Sequence, residues 1–321
     1  MKANMNKNTP LLLSLLAGAL VIFVGLASKR DKNLDTEFRS EFHEDYGVYA
    51  LSIPEDLSFA GEEIPLSDPD VYERMDKELL VNTYWQSNGL LMFKRTAKYF
   101  PIIEPILKEK GVPDDFKYLA VIESGLTNVV SPAGATGMWQ IMKGTAKDRG
   151  LEVNDEIDER YHLEKSTEAA CDYLLEAHER FGSWTLAAAS YNMGMKGVEK
   201  QLARQKSDNY YDLLLNQETG RYVFRIIAVK EIIENPKRYG FNFREVDLYK
   251  PIPTTTVEVD SGVAHFADFA AKYDMSYKTL KYHNPWLRDH YLTNKQGKTY
   301  VIKIPEEGYE GIYLDSSPKE E

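Results

Sequence analysis

The sequence predicts a mainly α-helical domain followed by a small α+β module at the carboxyl end. Over residues 76–234, apolar residues recur at the three- and four-residue intervals of amphipathic helices, in segments separated by glycine and proline. After Asn235 and Pro236 the pattern changes to a β-branched run, two short helical periods and a closing strand-like run, Tyr300 to Ile304. A strand, two helices and a strand within about fifty residues make a small α+β unit.

Glycine and proline residues separate the predicted helical segments of the first domain. Their predicted bounds are 88–110, 114–124, 138–149, 163–181, 184–192, 195–205 and 219–234. In the module, we expect short helices near 266–273 and 277–281. The predicted domain bounds are therefore 76–243 and 244–310, with a tail over 311–321.

The first 75 residues lie outside these two domains. Residues 11–27 form an uncharged apolar run preceded by lysines, so residues 1–32 are expected to be an export signal or a membrane anchor. In either case the remainder of the chain lies outside the inner membrane. Residues 33–75 are acidic, contain prolines and lack a sustained period, which predicts a spacer.

Composition excludes several classes of function. The formal charge of -11, from 39 basic and 50 acidic residues, argues against a nucleic-acid partner. The single cysteine, Cys171, rules out an intramolecular disulfide and is expected to be a small helix residue. Six histidines are scattered without metal-ligand spacing, so we predict no metal and no other cofactor. The sequence carries no signal for an oligomer interface.

One acidic residue lies on an apolar helix face. The residues spaced at i, i+3, i+4 and i+7 on that face are Phe116, Leu119, Ala120 and Glu123. Gly125 is expected to end the helix and leave the carboxyl group beside a cleft. Desolvation raises the pKa of such a carboxyl group, as a general acid near neutral pH requires. Alone, the pattern fits a glutamate paired with a buried cation better, because structural ion pairs are common.

Four motifs in a fixed order strengthen the functional interpretation. They are residues 123–126 (ESGL), 131–142 (SPAGATGMWQIM), 188–192 (AASYN) and 218–223 (ETGRYV). In order and spacing they resemble the catalytic domain of family 1 lytic transglycosylases, and the resemblance covers residues 85–240. The fourth motif departs from the family pattern because Gly220 and Arg221 stand in exchanged order.

The resemblance implies a lysozyme-like helical fold, of the goose-type or SLT kind, that cleaves peptidoglycan. It implies that Glu123 first protonates the oxygen joining N-acetylmuramic acid to N-acetylglucosamine. Glu123 would then remove the proton from the muramoyl C6 hydroxyl and leave a 1,6-anhydromuramoyl end. The residues that would bind the substrate are Ser131, Gln140, Met142, Tyr191 and Asn192. The residues that would support the site are Ser124, Glu218 and Tyr222.

The C-terminal module resembles a LysM module. Asn284-Pro285 and the closing run 302–305 match the end of that module. Residues 262–265 (GVAH) replace the usual Gly-Asp-Thr-Leu near its start, which puts sugar binding in doubt. The module is therefore expected either to bind glycan or to act as a stabilising cap on the catalytic domain.

Two other functions fit the same motifs. A goose-type-like lysozyme would hydrolyse the same bond, and it would need a second acid such as Asp155 or Asp158 to hold a water. A peptidoglycan-binding protein would bind without turnover, but the intact Glu123 and Gln140 favour an enzyme. In each case the expected partner is the glycan strand of peptidoglycan, and the expected location is the periplasmic side of the cell envelope.

Overall fold

Helices packed around one hydrophobic core form most of the described chain, which is residues 48–313 of a computed structural model. The helices of this domain are α1 (Pro69–Tyr84), α2 (Gln86–Lys110), α3 (Lys117–Ser124), α4 (Lys143–Asp148), α5 (Leu163–Phe181), α6 (Trp184–Met193), α7 (Met195–Gln205) and α8 (Gln217–Glu234). The predicted signal or anchor at 11–27 lies outside the described residues. Within 48–313, every helix is too short or too polar to cross a bilayer.

The short helix α3 lies between α2 and the long helix α8. It follows a 3-10 turn over Asp114–Phe116 and ends where Gly125 adopts a left-handed backbone, with φ 59°. Phe116, Leu119 and Ala120 are fully buried. The predicted apolar face and the predicted glycine stop are therefore confirmed, and Glu123 occupies the last turn.

The structure of the chain before α2 differs from the predicted spacer. Within residues 51–75, strands β1 (Ser58–Phe59) and β2 (Glu62–Glu63) form a hairpin, and Phe59 is fully buried in the domain core. The Glu62 carboxylate accepts hydrogen bonds from Thr185 N and Thr185 Oγ1, at 3.0 and 2.8 Å, at the start of α6. This segment is part of the helical domain.

The helix expected at 138–149 begins only at Lys143. Residues 131–142 instead form a loop, in which Gly137 and Gln140 have φ angles of 84° and 48°. A right-handed helix cannot include these left-handed positions. Met138, Trp139 and Ile141 are apolar because they are buried in the loop. Their spacing resembles that of one face of a helix.

The C-terminal module has the predicted order of strand, two helices and strand. Strands β3 (Thr254–Val259) and β4 (Tyr300–Pro305) pair antiparallel, and α9 (Phe266–Ala271) and α10 (Tyr277–His283) lie between them in sequence. The module packs against residues 152–164 of the helical domain. Ile157 joins the core of the module, and Asp158 N donates to Trp286 O at 2.9 Å.

Candidate active site

Glu123 lies at the C-terminal end of α3, where its carboxylate is partly buried. Tyr222, from the buried face of α8, donates its hydroxyl hydrogen to Oε1 of Glu123. Arg225, one turn further along α8, donates from Nη2 to Ile122 O at 3.0 Å. The contact of α3 with α8 therefore gives the carboxylate one neutral donor and one nearby cation.

The Glu123 carboxyl group has a raised pKa because burial penalises its charged form. The hydrogen bond from Tyr222 and the charge of Arg225 lower the pKa, whereas the charge of Glu218 raises it. Desolvation prevails, and Glu123 forms no salt bridge with any residue of 48–313. The interpretation of Glu123 as half of a structural ion pair is therefore wrong.

The loop over residues 131–142 is held close to α3, the helix that carries Glu123. Ser124 Oγ donates to Met138 O at 2.7 Å, so the end of α3 and the loop are joined directly. Ser131 Oγ accepts from Ala135 N at 3.0 Å and closes the first turn of the loop. A methyl group at Gly137 would overlap the carbonyl oxygen of Arg160, which shows why this position requires glycine.

Gln140 has a strained backbone and a side chain that is partly engaged. Its Nε2 donates to Gly137 O at 2.8 Å and to Val129 O at 3.0 Å. No described residue donates to its Oε1, which leaves an acceptor for a sugar hydroxyl or amide hydrogen. Met142 is exposed, with 46% of its surface accessible, at the start of α4. Binding of substrate by these side chains stays a prediction.

Tyr191 and Asn192 lie at the end of α6, and their side chains make different sets of contacts. The Tyr191 hydroxyl donates to Trp139 O at 2.8 Å, and burial raises the pKa of that hydroxyl well above its usual range. Asn192 Nδ2 donates to Glu218 Oε1 at 2.9 Å, and its Oδ1 accepts from Thr219 Oγ1 at 2.7 Å. Glu218 thus orients Asn192, whereas Tyr222 alone contacts Glu123 directly.

The exchanged pair in the fourth motif has a structural explanation. Arg221 forms a two-point salt bridge with Glu78 of α1, a carboxylate that is 1% exposed. Gly220 is buried and lies against Leu215. The exchange therefore joins α8 to α1 and leaves Tyr222 in register with Glu123.

Sequence analysis did not identify Arg160, whose side chain bonds to the loop over residues 131–142. Its guanidinium binds Asp158 at two points, Nε to Oδ1 at 2.9 Å and Nη2 to Oδ2 at 2.7 Å. Its Nη1 also donates to Gly134 O at 3.1 Å and Ile141 O at 3.3 Å. A single arginine in an acidic stretch carries no periodic signal, and only the fold brings it to the loop.

Two other kinds of reactive group can be assessed in the described residues. Cys171 is fully buried on α5, as expected for a small helix residue, and burial raises the pKa of its thiol to about 12. Across residues 48–313, no three histidine, cysteine or acidic side chains converge to hold a metal ion.

Comparisons with known proteins confirm both resemblances. Residues 100–214 match the transglycosylase SLT domain, and residues 255–308 match the soluble lytic transglycosylase C-terminal LysM-like domain. The chain is 29% identical, over 254 residues, to membrane-bound lytic murein transglycosylase D of Escherichia coli strain K12 and of strain O6:H1. The alignments cover 76% of this chain and 54% of the relatives, so the chain spans about half their length.

A solved structure gives a weaker similarity. It is lytic transglycosylase Slt from Pseudomonas aeruginosa, an inactive mutant with glutamine in place of glutamate. The match has a TM-score of 0.37 and 21% identity, and it covers 44% of this chain and 24% of the other. The mainly α, lysozyme-like assignment depends instead on the two domain matches and on the helices described above.

Proposed function

We propose that this chain is a peptidoglycan lytic transglycosylase in which Glu123 acts first as general acid and then as general base. The observation that carries the proposal is the environment of one carboxyl group. Glu123 is desolvated, it accepts a hydrogen bond from the neutral hydroxyl of Tyr222, and it has no salt-bridge partner among the described residues. A raised pKa keeps a larger fraction of a carboxyl group protonated at a given pH, and the protonated group can act as a general acid.

In the proposed reaction, protonated Glu123 donates its proton to the glycosidic oxygen that leaves with N-acetylglucosamine. The bond from that oxygen to the muramoyl C1 breaks, and the C6 hydroxyl oxygen of the same muramoyl unit bonds to C1. The Glu123 carboxylate takes up the C6 hydroxyl proton and is ready for another cycle. The step uses no water and leaves a 1,6-anhydromuramoyl end.

The neighbours of Glu123 have separate parts in this proposal. Tyr222 orients the carboxylate in both protonation states, and Arg225 stabilises the charge formed after the first proton transfer. Gln140 Oε1 and Asn192 are proposed to hold the sugar on either side of the broken bond, with Ser131, Met142 and Tyr191 completing the wall of the cleft. Ser124 and Glu218 keep the loop and Asn192 in place.

The hydrolytic alternative requires a second acid to activate water. Asp158 is 7% exposed, and both of its carboxylate oxygens are bound to Arg160. Asp155 is exposed in the same segment, and no described residue orients its carboxylate toward a water. These contacts favour attack by the C6 hydroxyl over attack by water.

The proposed location is the cell envelope, on the periplasmic side, where the glycan strands lie. The relatives of this chain are membrane-bound murein transglycosylases by name. The apolar run at 11–27 provides the proposed export signal or anchor. The module is proposed to act mainly as a cap, because its contacts with residues 152–164 fix it to the helical domain.

Replacing Glu123 by glutamine tests the proposal, because the amide fills the same volume but cannot donate a proton. We expect turnover of purified peptidoglycan to fall by about a thousandfold or more, with an unchanged circular-dichroism spectrum. Glu231→Gln is a matched control. Glu231 also accepts from a tyrosine, Tyr239, at 3.0 Å, and burial also raises its pKa, but it lies outside the cleft. Substantial activity in Glu123→Gln would contradict the assignment.

A further inference from the structure

A cavity lies beside the proposed active site, where the helical domain meets the C-terminal module. Its volume is about 320 Å³. From α2 it is lined by Arg95, Lys98 and Tyr99, and from the C-terminal part of the chain by Tyr249 and Tyr282. Two cations and several tyrosines therefore face one cavity to which both domains contribute walls.

The cavity is continuous with the residues around Glu123. Its floor includes residues 126–128, which directly follow the catalytic motif, and Met138, whose carbonyl oxygen accepts from Ser124. Arg95 Nη1 donates to Gly125 O at 3.0 Å, at the end of the helix that carries Glu123. A group bound in the cavity and a glycan bound beside Glu123 can therefore belong to the same molecule.

The charge of the cavity is uncompensated. Neither Arg95 nor Lys98 forms a salt bridge with a carboxylate of residues 48–313. Lys98 Nζ donates to the Tyr282 hydroxyl at 2.8 Å and lies 5.3 and 5.1 Å from the ring centroids of Tyr99 and Tyr282. In a protein of net charge -11, two partly buried cations that have no acidic partner among residues 48–313 indicate an anionic ligand.

We propose that this cavity binds a carboxylate on the peptide stem of the glycan strand, and that Tyr282 makes the module part of the substrate site. The inference rests on the proposed function, since peptidoglycan is the polymer that joins such peptides to muramoyl sugars. Lys98 supplies a charge-assisted hydrogen bond, and the tyrosine rings pack against the peptide chain. A lactyl carboxylate on a stem-free sugar has the same charge, but the cavity is larger than that group requires.

Binding to a non-cleaving variant tests this site separately from turnover. Full-length Glu123→Gln is titrated by calorimetry with a soluble muramoyl oligosaccharide that carries peptide stems, and with the same oligosaccharide after an amidase has removed them. We expect Lys98→Gln in this background to weaken binding of the stem-bearing ligand about ten- to a hundredfold, the value of one charge-assisted hydrogen bond. The preference for the stem-bearing ligand falls accordingly.

Two further variants make the result specific. Lys108→Gln removes the same charge from an exposed position on α2 outside the cavity, and it should leave both affinities unchanged. Lys98→Arg keeps the charge and should retain most of the preference. An equal loss for both ligands would overturn the proposed recognition of the stem, and no loss in Lys98→Gln would overturn the site itself. Failure of the proposed function is a different result, namely wild-type chain that does not cleave peptidoglycan.

Discussion

Glu123 and Glu164 are both partly buried glutamates, yet their surroundings shift their pKa values in opposite directions. In both residues burial acts to raise the pKa of the carboxyl group, because it penalises the charged form. At Glu164, on the first turn of α5, His162 Nδ1 at 3.2 Å from the carboxylate and the hydrogen bond from Lys303 outweigh burial and hold the pKa at about 2. At Glu123, the hydroxyl of Tyr222 and the charge of Arg225 do not outweigh it.

The difference separates two kinds of region in this molecule. Across residues 152–164, every acidic side chain except Asp155 binds a cation or a backbone amide, and the C-terminal module packs against this segment. Examples are Glu164 with Lys303, Glu152 with Lys298, and Glu156 with Thr293 N. A salt bridge fixes a carboxylate in its charged form, whereas a neutral donor orients a carboxyl group and leaves its proton exchangeable. The docking region is therefore suited to stability, and the cleft to proton transfer.

The largest effect on stability should come from breaking the buried pair in the docking region. Arg160→Met leaves the Asp158 carboxylate buried without its cation, and we expect the free energy of unfolding to fall by about 3 kcal/mol. Arg225→Met is the matched change beside Glu123. It removes one hydrogen bond to Ile122 O, which should cost about 1 kcal/mol. Urea unfolding measures both, and equal losses would show that the two regions do not differ in this way.

A smaller effect, with opposite signs, should follow from neutralising the two glutamates. The pKa of Glu164 is lowered from 4.5 to about 2, so its charge stabilises the fold above pH 4.5, and that contribution is lost as the pH falls toward 2. We expect Glu164→Gln to lower the free energy of unfolding at pH 7 by about 1–2 kcal/mol, allowing for solvent screening. Below pH 2 the difference should disappear.

Glu123→Gln should behave in the reverse way. The pKa of Glu123 is raised in the folded state, so its ionisation at pH 7 disfavours the fold. The glutamine variant is therefore expected to melt at the same temperature as the wild type or higher at pH 7, with the gain shrinking toward acidic pH. A clear loss of stability in Glu123→Gln at pH 7 would mean that its carboxylate is a structural partner after all.

The smallest change concerns the hydroxyl of Tyr222. Its hydrogen bond lowers the pKa of Glu123, so Tyr222→Phe should move that pKa upward. Because the general acid must be protonated, the alkaline limb of the kcat/KM profile should move to higher pH, with about a fivefold lower maximum. Tyr191→Phe, which loses a bond to Trp139 O, should lower the rate without moving the limb. A limb that moves to lower pH in Tyr222→Phe would contradict the assigned contact.

Local signals in the sequence predicted most of the helices, the end of α3 and the order of elements in the module, but they did not predict α1. The burial of Phe116 and the left-handed Gly125 follow from spacing and from glycine chemistry within a few residues. The hairpin over 58–63 was missed because two-residue strands have no measurable period. Its packing against α6 arises between positions more than a hundred residues apart in sequence.

The same distinction applies to the candidate site. Motifs identified Glu123 and named Tyr222 only as a supporting residue, whereas the fold brings the Tyr222 hydroxyl to the Glu123 carboxylate across 99 positions of sequence. Arg225 and Arg160 belong to no motif considered, and their contacts with Ile122 O and Asp158 depend on tertiary packing. Residue types and spacing identify the proposed reacting group, but the charge balance around it is decided by the fold.

The most direct test of the proposed single-carboxyl mechanism is the fate of oxygen during cleavage. Peptidoglycan is digested by the chain in water enriched in heavy oxygen, and the released muropeptides are analysed by mass spectrometry. If the C6 hydroxyl attacks, every new muramoyl end is an anhydromuramoyl end that lacks the label, and each fragment with such an end is lighter by one water than its hydrolytic counterpart. Reducing muramoyl ends that carry the label would show that water is the nucleophile, and they would contradict the proposed role of Glu123 as the base toward C6.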